Sequence, residues 1–313
     1  MRIAAAMMAA CLLGVSACAP STEPVSADPV KQAKAAIPLE DKYADNNGVK
    51  IHYVASGEGP LVVLIHGFPD FWATWTDLIP ALNDGYRVAA VDTRGYNLSD
   101  KPTAMEDYAM PNLVGDILAV IKAEGREKAT VVGHDWGAGI AWQVAFTQPQ
   151  AVDKLVILSV PHPTAFANEL ANNPKQRENS TYARNFQKEG SENALTAEGL
   201  AGWVKDPEMK AKYVEAFGRS SFAGMMNYYR MNYPAADAAQ SAGPPPPQLQ
   251  VPLLVIHGMD DQALLASGHS GTWNYNDKDT TILMIPHAGH FVQHDAAELV
   301  DTTIRNWLDA HSQ

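Results

Sequence analysis

The sequence predicts an α/β protein with a mostly parallel sheet, flanked by helices and interrupted by a helical insertion. Continuous apolar runs, such as PLVVLIHG at 60–67 and KLVILSV at 154–160, have the length and composition of strands buried on both faces of a sheet. Segments of helical periodicity alternate with these runs, as in a doubly wound fold. Residues 163–248 contain no such run and include four consecutive prolines, 244–247, which a helix interior does not tolerate.

The predicted elements follow one another in an order that connects parallel strands through helices. The first strand candidate, at 48–57, alternates in hydropathy, whereas the segment 108–124 repeats apolar residues at helical spacing. Further strands are predicted at 60–67, 86–95, 128–135, 154–160, 251–258 and 280–290, and further helices near 75–82, 137–146 and 296–309.

The composition excludes some classes of function. The 313 residues suffice for one large α/β domain with an insertion, or for two domains. The formal net charge of −12 and the lack of a basic stripe argue against a nucleic-acid partner. No cluster of His, Cys and carboxylate residues has the spacing of a metal site, so we expect no metal.

The N-terminus resembles the export signal of a lipoprotein. Arg2 precedes a short apolar stretch at 3–17, which is too short to span a bilayer as a stable helix. Residues 15–18, Val-Ser-Ala-Cys, resemble a bacterial lipobox. We therefore predict a signal peptide at 1–17, cleavage before Cys18 and lipidation of that cysteine; a simple secretory signal is the alternative.

The next stretch and the cysteine content agree with export. Residues 18–41 are rich in Pro, Ala, Ser and charge and are interpreted as a tether between membrane and domain. Both cysteines, Cys11 and Cys18, lie at this end of the chain, so the mature domain would hold neither thiol nor disulfide. Ala19 is not the aspartate associated with retention at the inner membrane. We predict an exported protein that is lipid-anchored in the bacterial cell envelope, at the outer membrane facing the periplasm.

Residues 130–139, TVVGHDWGAG, carry the candidate nucleophile. Gly133 to Gly137 match the G-x-S-x-G turn that lifts a nucleophile out of a sheet between a strand and a helix, with Asp135 in place of serine. A carboxylate is ionised at neutral pH and needs no base to become nucleophilic, and its attack on an sp³ carbon gives an ester. The alternative is an aspartate that caps the following helix.

Backbone donors for an oxyanion are predicted beside this turn. In this arrangement one N–H group comes from a loop after an earlier strand and the other from the residue after the nucleophile. The loop His66–Pro69 ends a buried strand, so the two donors would be the N–H groups of Phe68 and Trp136. An ordinary Gly-Pro turn is the alternative, but it does not explain the pairing with the elbow.

An acid and a base follow in the order that this arrangement uses. The sequence GMDD at 258–261 follows a strand, and AGH at 288–290 follows the last strand. His290 would take a proton from water, and a carboxylate would hold its ring in the right tautomer. The G-x-x-D spacing favours Asp261 as that acid, and Asp260 remains open. Two histidines outside the Ala-Gly-His position are interpreted as surface or supporting residues: His287 and His294.

These motifs together resemble the soluble type of α/β-hydrolase-fold epoxide hydrolases. The matching stretches are HGFPDFWATW, GHDWGA, GMDD and GH, and the similarity extends from about residue 45 to the end. DTRGYNLSDKP at 92–102 is similar to the family's D-x-R-G-x-G-x-S stretch, with Asn97 at a glycine position that asparagine can occupy. The resemblance implies an α/β-hydrolase fold with core segments 42–162 and 249–313 and an inserted helical lid (cap) at 163–248.

The resemblance also implies two tyrosines in the lid as proton donors. Tyr182, in TYARNFQKEG, and Tyr229, in MMNYYRMNYP, stand in stretches similar to those of the family, with Tyr228 and Tyr233 as the alternative candidates. The implied activity is hydrolysis of a small apolar epoxide by water to a vicinal diol, through an alkyl ester on Asp135, without any cofactor.

Two other functions remain as alternatives. A haloalkane or haloacetate dehalogenase shares the aspartate nucleophile, but the typical enzymes have other residues at the positions of Phe68 and Trp136, and halide release does not need proton-donating tyrosines. A non-catalytic, membrane-tethered binder would have no reason to keep every catalytic group.

The oligomeric state stays open. Four lid aromatics indicate either an apolar pocket or the interior of the lid: Trp203, Phe217, Phe222 and Tyr228.

Overall fold

The computed structural model describes residues 37–234 and 247–312. The predicted signal peptide, Cys18 and the predicted tether up to residue 36 lie outside the described residues. Within the part of the chain that the structure describes, every helix is too short or too polar to cross a membrane.

The described residues form an eight-stranded sheet. Along the chain, the strands are β1 (Glu40–Asn46), β2 (Val49–Ser56), β3 (Leu61–Ile65), β4 (Arg87–Val91), β5 (Ala129–His134), β6 (Val152–Leu158), β7 (Leu253–Gly258) and β8 (Thr280–Ile285). Across the sheet they lie in the order β1-β2-β4-β3-β5-β6-β7-β8. β2 pairs antiparallel with both β1 and β4, and all other neighbours are parallel. Every residue of β3, β5 and β7 is buried, as expected for strands covered on both faces.

Helices cover both faces of this sheet and create two hydrophobic cores. These helices are α1 (Leu78–Leu82), α2 (Met110–Ala123), α3 (Trp136–Thr147), α10 (Val292–Asp295) and α11 (Ala297–Ala310). In β3, Val63 belongs to the core beneath α2 and α3, whereas the neighbouring Val62 belongs to the core beneath α1 and α11. This alternation follows from the two-residue period of a strand.

The insertion between β6 and β7 contains six α-helices among its described residues, and we call these helices the lid. The lid contacts the loops that follow the parallel strands. Tyr228 donates its hydroxyl hydrogen to the Arg94 carbonyl at 2.8 Å, and Tyr213 donates to Asp70 Oδ1 at 2.7 Å. The lid therefore covers the edge at which those strands end. Its helices are α4 (Pro163–Asn172), α5 (Pro174–Asn179), α6 (Thr181–Phe186), α7 (Ala197–Leu200), α8 (Pro207–Arg219) and α9 (Phe222–Asn232).

The predicted mostly parallel sheet, flanking helices and helical insertion are confirmed, and one strand was not foreseen. β1 begins at Glu40, so its first two residues fall in the range 18–41 that we predicted as a tether. Its sequence, EDKYADN, is charged and mostly exposed at the edge of the sheet, so it has no regular apolar period. Asn97 adopts a φ of 40°, in agreement with its predicted place in a glycine-type turn.

Candidate active site

Asp135 lies in a sharp turn between β5 and α3. Its φ of 51° and ψ of −121° are strained for a residue with a side chain, and such strain is typical of functional positions. The flanking glycines allow the close approach that this turn needs. A Cβ at Gly133 would collide with the Gly137 carbonyl, and a Cβ at Gly137 would collide with the Ile65 carbonyl. The turn therefore presents the Asp135 side chain above the sheet edge.

The Asp135 carboxylate does not cap α3 but faces the oxyanion loop and His290. Its Oδ1 accepts the Phe68 N–H at 2.7 Å, and its Oδ2 lies 3.4 Å from His290 Nε2. Burial would raise the pKa of Asp135, but its hydrogen bond and charge interaction with His290 lower it below the usual value. The group is a carboxylate at neutral pH, with one oxygen held by the backbone and the other facing the cavity and His290.

His290 connects Asp135 to the buried acid Asp261. Its Nδ1 lies 2.8 Å from Asp261 Oδ2, and the Asp261 side chain is completely shielded from solvent. Burial would lower the pKa of His290, but the negative charges of Asp261 and Asp135 outweigh it and raise the pKa to about 10. In this state His290 is an imidazolium held between two carboxylates.

The neighbouring acid and histidines have other partners than His290, although Asp260 also lines one of the cavities. Asp260 has a side chain that is 64% exposed, and its Oδ2 is 4.0 Å from Nδ1 of His287, which is also exposed. The ring of His294 instead hydrogen-bonds the Thr74 hydroxyl at 2.8 Å. Of the two candidate acids, the structure thus places Asp261, and not Asp260, against His290.

The two predicted oxyanion donors flank the same carboxylate. The Phe68 N–H already reaches Asp135 Oδ1. Trp136 is the first residue of α3, so its N–H is one of the first-turn donors that have no partner inside the helix. The positive end of this helix also favours negative charge on Asp135.

Tyr182 and Tyr229 come from two lid helices, α6 and α9, and face the nucleophile. Both side chains line, together with Asp135, the two cavities that meet beneath the lid. Their rings are 6.3 Å apart at an interplanar angle of 81°. Burial, reinforced by the negative charge of Asp135, raises the pKa of both phenols well above the ordinary value. Both hydroxyl groups therefore keep their protons at neutral pH.

The alternative tyrosines differ in their surroundings. Tyr228 is fully buried and its hydroxyl is engaged by the Arg94 carbonyl, away from both cavities. Tyr233 lines the cavity that contains Trp142, and it lies beneath the guanidinium of Arg184 at 5.1 Å. Only Tyr182 and Tyr229, among these four tyrosines, border both cavities.

Comparisons with known proteins agree with the fold. A family model described as the alpha/beta hydrolase fold matches residues 60–297. "Epoxide hydrolase 1" of Caenorhabditis elegans is 33% identical over 87% of this chain and 71% of its own length. "AB hydrolase superfamily protein YfhM" of Bacillus subtilis is also 33% identical, over 85% of this chain and 97% of its own length. A crystal structure of the Bacillus megaterium epoxide hydrolase with an inhibitor superimposes with a TM-score of 0.80, at 32% identity, over 86% of this chain and 100% of that chain.

The chain belongs to the epoxide hydrolases of the α/β-hydrolase fold. The sequence resemblance to this family implied a mostly parallel sheet, an inserted lid and a turn that presents the nucleophile. The structure contains all three features. Among the described residues, no group of three or more His, Cys, Asp or Glu side chains could hold a metal ion.

The cavities of this epoxide hydrolase are lined by other aromatics than those considered from the sequence. One cavity extends from Asp135 between Trp142 and Phe166, and the other passes Phe186 and Phe291. None of the four lid aromatics considered above lines either cavity. Trp203 stacks on Phe291 with 4.1 Å between the ring centroids. Phe217 and Tyr228 are buried in the hydrophobic core, and the partly buried Phe222 packs against it.

Two residues that support His290 were not found from the sequence. His134 Nε2 and Ser159 Oγ both lie 2.8 Å from the His290 carbonyl, to which each donates. Burial lowers the pKa of His134 to about 3, so its ring is neutral and Nε2 carries the hydrogen of this bond. The sequence could have indicated His134, because it directly precedes the nucleophile Asp135. No sequence motif marks Ser159.

Proposed function

We propose that this protein hydrolyses epoxides to vicinal diols through an alkyl ester on Asp135. One observation carries the proposal: a carboxylate, an imidazole with its acid and two neutral phenols border the same space. His290 lies 3.4 Å from Asp135, and Tyr182 and Tyr229 line the same cavities. The relatives named epoxide hydrolases over most of the chain support the same reaction class.

In the first step Asp135 opens the strained ring. Its Oδ1 is held by the Phe68 N–H, so Oδ2 is the oxygen that attacks a ring carbon. The carbon–oxygen bond of the epoxide breaks, and the departing oxygen takes a proton from Tyr182 or Tyr229. Because both phenols hold their protons at neutral pH, they can hydrogen-bond the epoxide oxygen and supply that proton. The product of this step is a hydroxyalkyl ester of Asp135.

In the second step His290 activates water against that ester. Formation of the ester removes the negative charge of Asp135, which is one of the causes of the raised pKa of His290. The pKa of His290 therefore falls when the ester forms, and its proton restores the phenol that ring opening left as a phenolate, so that the ring becomes a general base while Asp261 holds its orientation. Water attacks the Asp135 carbonyl carbon, its proton passes to His290, and the N–H groups of Phe68 and Trp136 stabilise the oxyanion. The oxyanion then collapses: the diol oxygen leaves with the proton from His290, and His290 takes the remaining proton from the Asp135 carboxyl, which restores the carboxylate and the imidazolium.

The proposal predicts where the oxygen of water is incorporated. In a single turnover with enzyme in excess in ¹⁸O-water, the diol receives its new oxygen from Asp135, so it carries no ¹⁸O. The label appears instead in the Asp135 peptide, measured by mass spectrometry. A diol labelled in the first turnover would refute the covalent route.

A panel of epoxides, haloalkanes and haloacetates tests the substrate class. Diol formation should be lost in Asp135→Ala and retained in Asp260→Ala, which removes an exposed carboxylate that lines one cavity but pairs with His287 instead of His290. Halide release that requires Asp135 but not the two tyrosines would show that the protein is a dehalogenase and refute the proposed epoxide hydrolysis.

We also propose that the chain is exported and lipid-anchored through Cys18, from the lipobox-like sequence alone. Expression of the full chain with a labelled fatty acid should give labelled protein in the envelope fraction. The Cys18→Ala variant should lose the label, and equal labelling of both would contradict the anchor.

A further inference from the structure

A buried lid glutamine holds the loop that carries Asp261. Gln176 lies in α5 and is only 1% exposed. Its Nε2 donates to the Ala263 carbonyl at 2.8 Å, and its Oε1 accepts the Leu265 N–H at 2.8 Å. The same Nε2 also donates to Ser180 Oγ at 3.0 Å. Both Nε2 hydrogens and the Oε1 are thus engaged, which fixes the orientation of the amide.

Asp261 holds the same loop from the other side. Its Oδ1 accepts the N–H groups of Ala263 at 2.7 Å and Leu264 at 3.0 Å, while its Oδ2 faces His290. The backbone at 263–265 therefore bonds alternately to the acid and to Gln176. A displacement of this loop would move the two donors that aim the Asp261 carboxylate.

We propose that Gln176 is a positioning residue for the Asp261–His290 pair, so that a correctly seated lid orients the groups that activate water. The residue does not line either cavity and would not touch substrate. The kinetic consequence rests on the proposed function, because water activation is the second step of that mechanism. Ring opening depends on Asp135 and the tyrosines and does not require the Asp261 carboxylate to be aimed at His290, although Ala263 and Leu264 of the same loop also line the cavities.

A second hydrogen bond between lid and core offers a matched control. Ser267 Oγ donates to Glu169 Oε2 of α4 at 3.0 Å, in an exposed position. This bond joins the lid to the following stretch of the same loop, but the Asp261 side chain has no bond to Ser267. Ser267→Ala therefore removes one lid–core hydrogen bond and leaves the bonds of Gln176 and Asp261 to the backbone at 263–265 in place.

The first measurement needs no substrate. The His290 Nδ1–H proton should give a downfield ¹H NMR resonance in the wild-type protein and in Ser267→Ala, because its bond to Asp261 is short and charged. In Gln176→Met, which has similar length but cannot form these hydrogen bonds, the resonance should move upfield or vanish by exchange. An unchanged resonance in a folded Gln176→Met would overturn the proposal. If that variant does not fold, Gln176→Glu keeps the acceptor for Leu265 and carries the same test.

The second measurement separates the two chemical steps. With enzyme in excess over an epoxide, Gln176→Met should form the ester within about twofold of the wild-type rate and hydrolyse it about tenfold or more slowly. Ser267→Ala should change neither rate. Equal slowing of both steps in Gln176→Met would indicate a purely structural role and overturn the proposal. A wild-type protein that forms no ester would refute the proposed function, while the NMR result still decides the positioning role.

Discussion

The sheet edge and the lid hold their functional side chains by different physical means. At the sheet edge, His290 lies 2.8 Å from Asp261 and 3.4 Å from Asp135, and Asp135 also accepts the Phe68 N–H at 2.7 Å, so charged groups hold one another. In the lid, Tyr229 is held mainly by ring contacts, and its hydroxyl also has a side-chain hydrogen bond with Trp136. Its ring lies 5.1 Å from those of Trp136 and Phe186 and 5.7 Å from that of Phe68.

This difference matches the charge that each group would carry in the reaction. An ionic network prepares the sheet edge to keep Asp135 negative and to accept a proton at His290. Aromatic surroundings disfavour phenolate, so Tyr182 and Tyr229 stay protonated and can donate. The comparison predicts that charge changes at the edge and hydroxyl deletions in the lid will stop different steps.

Replacement of His290 should have the largest effect. In His290→Gln we expect ester formation to continue and its hydrolysis to fall by about 10⁴-fold or more, because no base remains for water. Mass spectrometry of the protein after mixing with an epoxide should find the ester on Asp135 as a stable adduct. Asp135→Ala should give no adduct. Absence of the adduct in His290→Gln would place His290 in the first step as well.

Removal of both lid hydroxyl groups should have the next largest effect, on the other step. Tyr182→Phe/Tyr229→Phe should slow ester formation by about 10²- to 10³-fold, because the departing oxygen loses its proton donors. Single-turnover kinetics should reveal no accumulated ester in this variant. Loss of ester hydrolysis instead of ester formation would contradict the division of roles between lid and edge.

The charged groups at the sheet edge should also make the stability of the fold depend on pH. The folded-state pKa of His290 is about 10, above the ordinary 6.5, so its contribution to stability is complete below pH 6.5 and is lost as pH rises towards 10. We expect the free energy of unfolding to fall by a few kcal/mol over that interval, measured by denaturant titration.

The pH slope has two informative controls. His290→Gln should lose this part of the slope, whereas Tyr182→Phe/Tyr229→Phe should retain it, because the lid tyrosines are not part of the ionic network. Parallel pH curves for the wild-type protein and His290→Gln would show that the imidazolium does not stabilise the fold.

Much of this organisation could be predicted from the sequence because it depends on local chemistry. The buried parallel strands are apolar whatever their neighbours are, and the elbow needs small residues at Gly133 and Gly137. β1 was not predicted, because its inward face carries Lys42, Ala44 and Asn46, which give no apolar period in the sequence.

The remaining features depend on tertiary contacts that no local pattern encodes. The G-x-x-D spacing favoured Asp261 over Asp260, but which carboxylate turns towards His290 is decided by the fold of the loop. Gln176 has an unremarkable sequence context, PKQRE, and gains its place only because α5 packs on the loop after β7. The same holds for Phe166 and Trp142, which line a cavity although they lie in different helices.

The smallest effect is expected at Tyr228, one residue before the proposed donor Tyr229. Tyr228→Phe removes the 2.8 Å hydrogen bond to the Arg94 carbonyl and leaves that buried oxygen without this partner. We expect a loss of about 1–2 kcal/mol in the free energy of unfolding, with diol formation within about twofold of the wild-type rate. Tyr229→Phe should do the opposite, slowing ester formation with little change in stability, since its phenol lines the cavities rather than bonding the backbone. If Tyr228→Phe slowed ester formation as strongly as Tyr229→Phe, the proton donor would be assigned to the wrong tyrosine of this pair.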